Sequence, residues 1–237
     1  MATFVLVAGA MHGGWAFDPV ADLLRSHGHK VVTPSLTGTG DRGHLLDPSV
    51  NPSTHVEDLR RVLFYEDLTD AHVVLHSYSG ALAGPLCEVA GDRIAKVIFL
   101  GAFLVEDGES FYDTEPPETA ARYLRLAEED GDGWRVPASA AFLEQWGVPE
   151  HLRPWVAERL MDFPLRCGTD PVRFDPTSLE ATPCAYVRHT APAMASLEAP
   201  HDRAVARGYD MHDIALSHDM MLEDPGAIAA LLDSLAR

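Results

Sequence analysis

A serine hydroxyl becomes a nucleophile only when a neighbouring base takes its proton and backbone donors await the oxyanion. The chain offers these parts in a workable order. Ser77 lies in VVLHSYSGALAG, immediately after an apolar run and before a stretch of small residues. That segment reads as a strand, a tight turn and a helix, and such a turn holds the hydroxyl out of the sheet at the helix N-terminus. The alternative for Ser77 is a plain helix N-cap. Of the 12 histidines, His218 follows the last predicted strand in LSHDMMLEDPGAIAALL, just before the terminal helix, and is the candidate base. His12, His76 and His189 are the alternatives near the same edge.

After the first predicted strand comes Ala8-Gly9-Ala10-Met11-His12-Gly13-Gly14-Trp15, a glycine-rich loop able to aim a backbone N–H at Ser77. The amides of Ala10 and Tyr78 are the expected oxyanion donors. Met11, His12 and Trp15 are expected to line the substrate cleft. Tyr78, Trp15, Trp134, Trp146 and Trp155 could furnish an apolar pocket for a bulky acyl group, although large aromatics in such segments more often serve packing.

Short apolar runs alternate with helical periodicity. TFVLVA at 3–8 reads as a buried strand and DPVADLLRSHG at 18–28 as a helix, with Asp18 as N-cap, Pro19 at its first position and Gly28 as terminator. Strands are expected at 30–36, 71–76 and 96–103, and a helix over 55–68. This alternation predicts an α/β fold, a mostly parallel sheet with helices on both faces. From about 109 to 178 the sequence turns helical, Pro-rich and Trp-containing with no clear strand, and reads as a cap inserted into one domain spanning 1–237. Strands return at 183–190 and 211–216, followed by a helix from about 224 to 236.

Composition narrows the function classes. Lys plus Arg total 18 against 36 Asp plus Glu, and a net charge of −18 repels phosphate backbones and anionic membrane surfaces. The N-terminal segment lacks a basic region, and Gly9, Gly13 and Gly14 break its apolar stretch, so a cytoplasmic protein without a membrane partner is expected. Cys87, Cys167 and Cys184 are scattered and lack CxxC spacing, which suggests neither a disulfide framework nor a metal site.

FVLVAGAMHGGWAFDPVADLL, PSLTGTGDRGHLLDPSVNPSTHVEDLRRVL, VVLHSYSG, FLGAFLVEDGES and SHDMMLEDPGAIAALL together resemble the α/β-hydrolase superfamily. Within it, they resemble the branch of plant methylesterases, hydroxynitrile lyases and bacterial pyrethroid-hydrolase-like esterases. The resemblance covers nearly the whole chain and implies Ser77 as nucleophile, His218 as base, a helical cap shaping the pocket, and no cofactor or metal. Lyases of the branch carry a lysine directly after the catalytic histidine, where this chain has Asp219, so cyanohydrin cleavage is not expected. Other departures are Ala8 in the usual His-Gly dipeptide, Leu75 at the first glycine of the G-x-S-x-G elbow, and Thr190 near the usual place of the triad acid. With no carboxylate there, Glu106 is the first candidate to support His218, followed by Asp107 and Asp202; otherwise the site works as a dyad.

The expected activity is hydrolysis of a small carboxylic ester through an acyl-enzyme. An acyltransferase using the same intermediate and a catalytically silent small-ligand-binding protein are the alternatives. Oligomeric state is open, a homodimer being compatible with the sequence.

Overall fold

A computed structural model of the chain describes residues 1–236. β1 (Thr3–Val7), α1 (Asp18–Ser26), β2 (Lys30–Val32), α2 (Pro52–Tyr65), β3 (Ala71–His76), α3 (Ala83–Ala90) and β4 (Ile94–Leu100) follow one another. The covering segment then holds α4 (Pro117–Asp130), β5 (Arg135–Val136), α5 (Ala140–Gln145), α6 (Arg153–Ala157), β6 (Phe163–Pro164), α7 (Leu165–Thr169) and α8 (Pro176–Glu180). The chain closes with β7 (Cys184–His189), α9 (Glu198–Ala206), β8 (Asp210–Ile214), α10 (Met220–Glu223) and α11 (Pro225–Leu235).

One sheet runs in the order β2-β1-β3-β4-β7-β8, and each neighbouring pair is parallel. Parallel strands covered by helices on both faces need unbroken apolar runs, which the central β1, β3 and β4 supply. The edges tolerate Lys30, Asp210 and Asp213 because solvent reaches them. Strand order reverses between β1 and β3, and in open α/β sheets the crevice at the carboxyl ends of such a pair is where ligands bind. The loop after Val7 and the turn after His76 meet there.

Several boundaries differ from the sequence reading for local reasons. β2 stops at Val32, short of Pro34, which has no N–H for a ladder. α2 begins three residues early because the Asn51 side chain accepts from the Thr54 amide, the Thr54 hydroxyl accepts from the Asn51 amide, and Pro52 occupies the first turn. Phe17, rather than Asp18, caps α1. The covering segment is not wholly helical, since β5 and β6 form a small antiparallel pair. The helix α9 went unpredicted: it buries only Pro200 and Ala204, too few and too small to give a clear periodic stripe. Among the described residues, no helix is long and apolar enough to cross a membrane.

Candidate active site

β3 ends in a turn where Ser77 takes φ 55°, a left-handed conformation costly for a residue with a Cβ. Its neighbours hold it there. The buried Ser79 hydroxyl donates to the His76 carbonyl at 2.8 Å and also lies 3.1 Å from the Val7 carbonyl, tying the turn to β1. The Phe103 amide donates to the Ser77 carbonyl at 3.1 Å. Gly9 comes so close that a Cβ there would sit 2.5 Å from the Ser77 Cβ, so only glycine lets the β1 loop approach the hydroxyl. Leu75 causes no strain: it is fully buried, paired in register with Val7 and Phe99.

The loop after β8 brings His218 to this turn. The His218 amide donates to the Trp146 carbonyl at 3.0 Å, which anchors the loop to the covering segment. His218 Nε2 lies 2.9 Å from Ser77 Oγ, and His218 Nδ1 lies 3.1 Å from His189 Nε2. Carbonyls only accept, so the His189 Nδ1–H must donate to the Pro192 carbonyl at 2.9 Å. That leaves His189 Nε2 as an acceptor for the His218 Nδ1–H, and His218 Nε2 as an acceptor for the Ser77 O–H. Gly101, at φ 52°, lets the pair pack: a Cβ there would lie 3.0 Å from the His189 ring.

Beneath this relay lies more buried histidine. His76 Nε2–H donates to the His218 carbonyl at 2.9 Å. Burial holds His76 down at about 4, and holds His218 well below the usual imidazole range, with neighbouring His76, His189 and His12 adding to the His218 effect. His189 is lowered too, again mainly by burial. The base is therefore neutral, the state general-base catalysis needs. His12 behaves differently. Burial would lower it, but buried Asp219, 3.2 Å from its Nε2, raises it overall, while its Nδ1–H donates to the Ala10 carbonyl at 2.9 Å. The Asp219 carboxylate is lowered despite its burial, chiefly by His12. His12 and Asp219 thus form an internal ion pair, and Asp219 also favours the charged forms of His76 and His189.

This geometry corrects several expectations. Glu106 is not brought to His218; its carboxylate is taken by Arg207 at 2.5 Å, away from the cleft. Asp107 accepts from the Phe174 amide, and exposed Asp202 lies beside His201. His12 turns inward to Asp219 and does not line the cleft. Trp15 also misses it, lying instead between a tilted His12 ring and an edge-on Trp155 ring. Tyr78 packs in the core, its hydroxyl 3.0 Å from His55 Nδ1, while its amide lies in the first turn of the helix, where intrahelical acceptors are lacking. Ala10 and Met11 border the cleft, and Trp146 is the tryptophan that joins them. Sequence reasoning missed His189 as the partner of His218 and Asp219 as the buried charge. The adjacency of both to already suspected positions was the only available signal.

Ser77 and His218 open into a narrow cleft with about 40 Å³ of enclosed free space. Phe103 and the covering-segment residues Phe111, Tyr123, Phe142, Trp146 and Phe163 make its walls mostly apolar. Such walls suit a flat, apolar substrate body. Among the described residues, no group of His, Cys, Asp and Glu has the arrangement to hold a metal ion, the histidine cluster included.

The nucleophile-and-base geometry on a parallel sheet defines a hydrolase class, and sequence comparison gives the family: the chain belongs to the α/β-hydrolase family, whose model matches residues 4–231. It is similar to a carbendazim hydrolyzing esterase of Nocardioides, 38% identical over 67% of this chain and 68% of that one. It is also similar to methyl jasmonate esterase 1 of Vitis vinifera, 34% identical over 43% of this chain and 39% of that one. A pyrethroid hydrolase of Sphingobium wenxiniae is 30% identical over 60% of this chain and 51% of that one. Among solved structures, an extracellular α/β-hydrolase from a Paenibacillus species superposes with a TM-score of 0.85 at 19% identity, covering 99% of this chain and 98% of that one. That likeness concerns the fold, while the relatives by sequence place the chain among carboxylesterase-type hydrolases.

Proposed function

We propose that the protein cleaves small carboxylic esters through an acyl-enzyme on Ser77. The observation that carries this reading is the 2.9 Å contact between Ser77 Oγ and His218 Nε2 at the floor of an apolar cleft. Neutral His218 takes the hydroxyl proton as Ser77 attacks the ester carbonyl, and the amides of Ala10 and Tyr78 receive the oxyanion. His218 then protonates the departing alcohol, and the same base activates the water that releases the acid.

His189 stands where a carboxylate usually orients the base. Its Nε2 lone pair fixes the tautomer of His218, and it accepts a share of the positive charge as His218 is protonated. The buried carboxylate of Asp219 favours that cation on His189. The esterase, methylesterase and hydrolase activities of the relatives support ester cleavage, and the aromatic walls support an acid or alcohol part with a flat apolar body. Ser77→Ala should abolish p-nitrophenyl acetate turnover while the protein stays folded, and retained turnover would overturn the proposal. If the wild-type protein turns over nothing and still binds apolar esters, the silent ligand-binding reading replaces it.

A further inference from the structure

One cleft residue has no part in the chemistry proposed above. Glu115 lies between the short turn Tyr112–Thr114 and α4, is 7% exposed, and borders the same cleft as Ser77 and His218. Its Oε2 has no hydrogen-bond partner. Burial pushes the carboxyl up to about 7, against a hydrogen bond from Ser196 and the more distant charge of Arg122. Arg122 offsets this only in part: one guanidinium nitrogen donates to Gln145 and the group lies over the rings of Tyr123 and Phe142, while no hydrogen bond joins it to Glu115. On the cleft side the lining is mostly aromatic or apolar, with Tyr112, Tyr123, Phe142, Trp146 and Met194, and Glu115 also borders a second, open depression that holds Asp113, Glu198, Asp202 and Arg203.

A carboxyl oxygen left unpaired among aromatic walls is costly unless something supplies a donor. Apolar pockets gain orientation and selectivity from a few such polar groups. A site built to hydrogen-bond a substrate group rejects the isostere that lacks it far more strongly than it senses a methylene. We propose that Glu115 is a substrate-recognition residue and that the cleft takes esters whose aromatic body carries an N–H donor. This rests on the esterase reading only for the word substrate, since the subsite itself can be read by binding.

The experiment uses Ser77→Ala, in which turnover is silent, at about pH 8.5, where the Glu115 carboxyl is ionised and only accepts, and titrates two near-isosteric esters by calorimetry: methyl para-aminobenzoate, with an N–H donor, and methyl para-toluate, without one. The amino ester should bind at least about tenfold more tightly. Adding Glu115→Leu should erase that preference and leave toluate binding within about threefold, whereas Glu115→Gln, which keeps an acceptor oxygen, should retain most of it. Equal affinities in Ser77→Ala, no binding of either ester, or a loss shared equally by both in Glu115→Leu would overturn the proposal. Should Glu115→Leu fail to fold, Glu115→Gln set against Glu115→Ala supplies the same comparison. Failure of the esterase reading would show separately, as absence of p-nitrophenyl acetate turnover by the wild-type chain.

Discussion

His189 Nε2 lies 3.1 Å from His218 Nδ1, so a neutral imidazole faces the nitrogen that a carboxylate faces in the usual serine triad. A neutral acceptor fixes the tautomer as a carboxylate does, yet, carrying no negative charge, it pulls the base toward its cation far less strongly. With burial as the main cause and the neighbouring histidines adding to it, His218 stays well below the ordinary imidazole range. A lowered base remains unprotonated as the pH falls, so kcat/KM should hold below pH 6.5 before it declines. His189→Ala should reduce kcat by roughly 10²-fold, with KM little changed. His189→Asp should restore activity in part and move the acidic limb of the pH profile upward, because a carboxylate favours the protonated form. An unmoved limb would show that His189 serves packing alone.

The pair His12–Asp219 is buried at 3.2 Å, and among the described residues no other ion pair is formed by either side chain. Asp219→Asn should destabilise the protein by about 3 kcal/mol, because His12 is left in the interior without its counter-charge. Replacing both residues, His12→Asn with Asp219→Asn, should recover part of that loss. Urea denaturation of the three variants gives the comparison, and strictly additive losses would mean that the two do not interact.

Close approach at Gly9 and tight packing at Leu75 predict opposite kinds of failure. Gly9→Ala places a methyl 2.5 Å from the Ser77 Cβ and should lower kcat/KM by at least about 10²-fold by displacing the nucleophile. Leu75→Gly writes the usual elbow motif into the chain, but it empties a fully buried site. It should cost about 3–5 kcal/mol with no gain in rate. Kinetics beside thermal melts distinguish the two, and a faster Leu75→Gly enzyme would contradict the packing argument.

Ser77, His218, the parallel sheet and the covering segment were legible because each leaves a local signature: an apolar run into small residues, a histidine after the last strand, a change of period. The supporting partner was not. It depended on reading an absence, Thr190 where an acid is usual, and the place of Glu106 after the strand that follows the elbow helix then made it the first candidate, yet Arg207 takes its carboxylate. His189 sits one position earlier on β7, and only the register of β7 beside β4 and the turn of Gly101 bring its ring to His218. Asp219 read as a missing lysine because nothing local shows that its side chain turns inward to His12. Glu115, in a polar stretch of acids and prolines, carried no signal of burial at all.

Acid should expose the other buried histidines. His76, held at about 4 in the fold against 6.5 as a free imidazole, is lowered, so its contribution is fully present above pH 6.5 and is lost as the pH falls toward 4. Over that window one such group removes up to roughly 3 kcal/mol. His55, His72, His189 and His218 are lowered and act in the same direction. His12 and Glu115 are raised and oppose them. Unfolding free energy should therefore fall between pH 6.5 and 4.5, and His76→Gln, which can still donate to the His218 carbonyl, should flatten that slope. A slope unchanged in His76→Gln would count against the assignment.

The most direct measurement is the intact mass of the folded protein after reaction with a fluorophosphonate, with the adduct located by peptide mapping. The account predicts one adduct, on Ser77, formed far more slowly in His218→Ala and absent in Ser77→Ala. No adduct on folded wild-type protein, or an adduct on another residue, would contradict it.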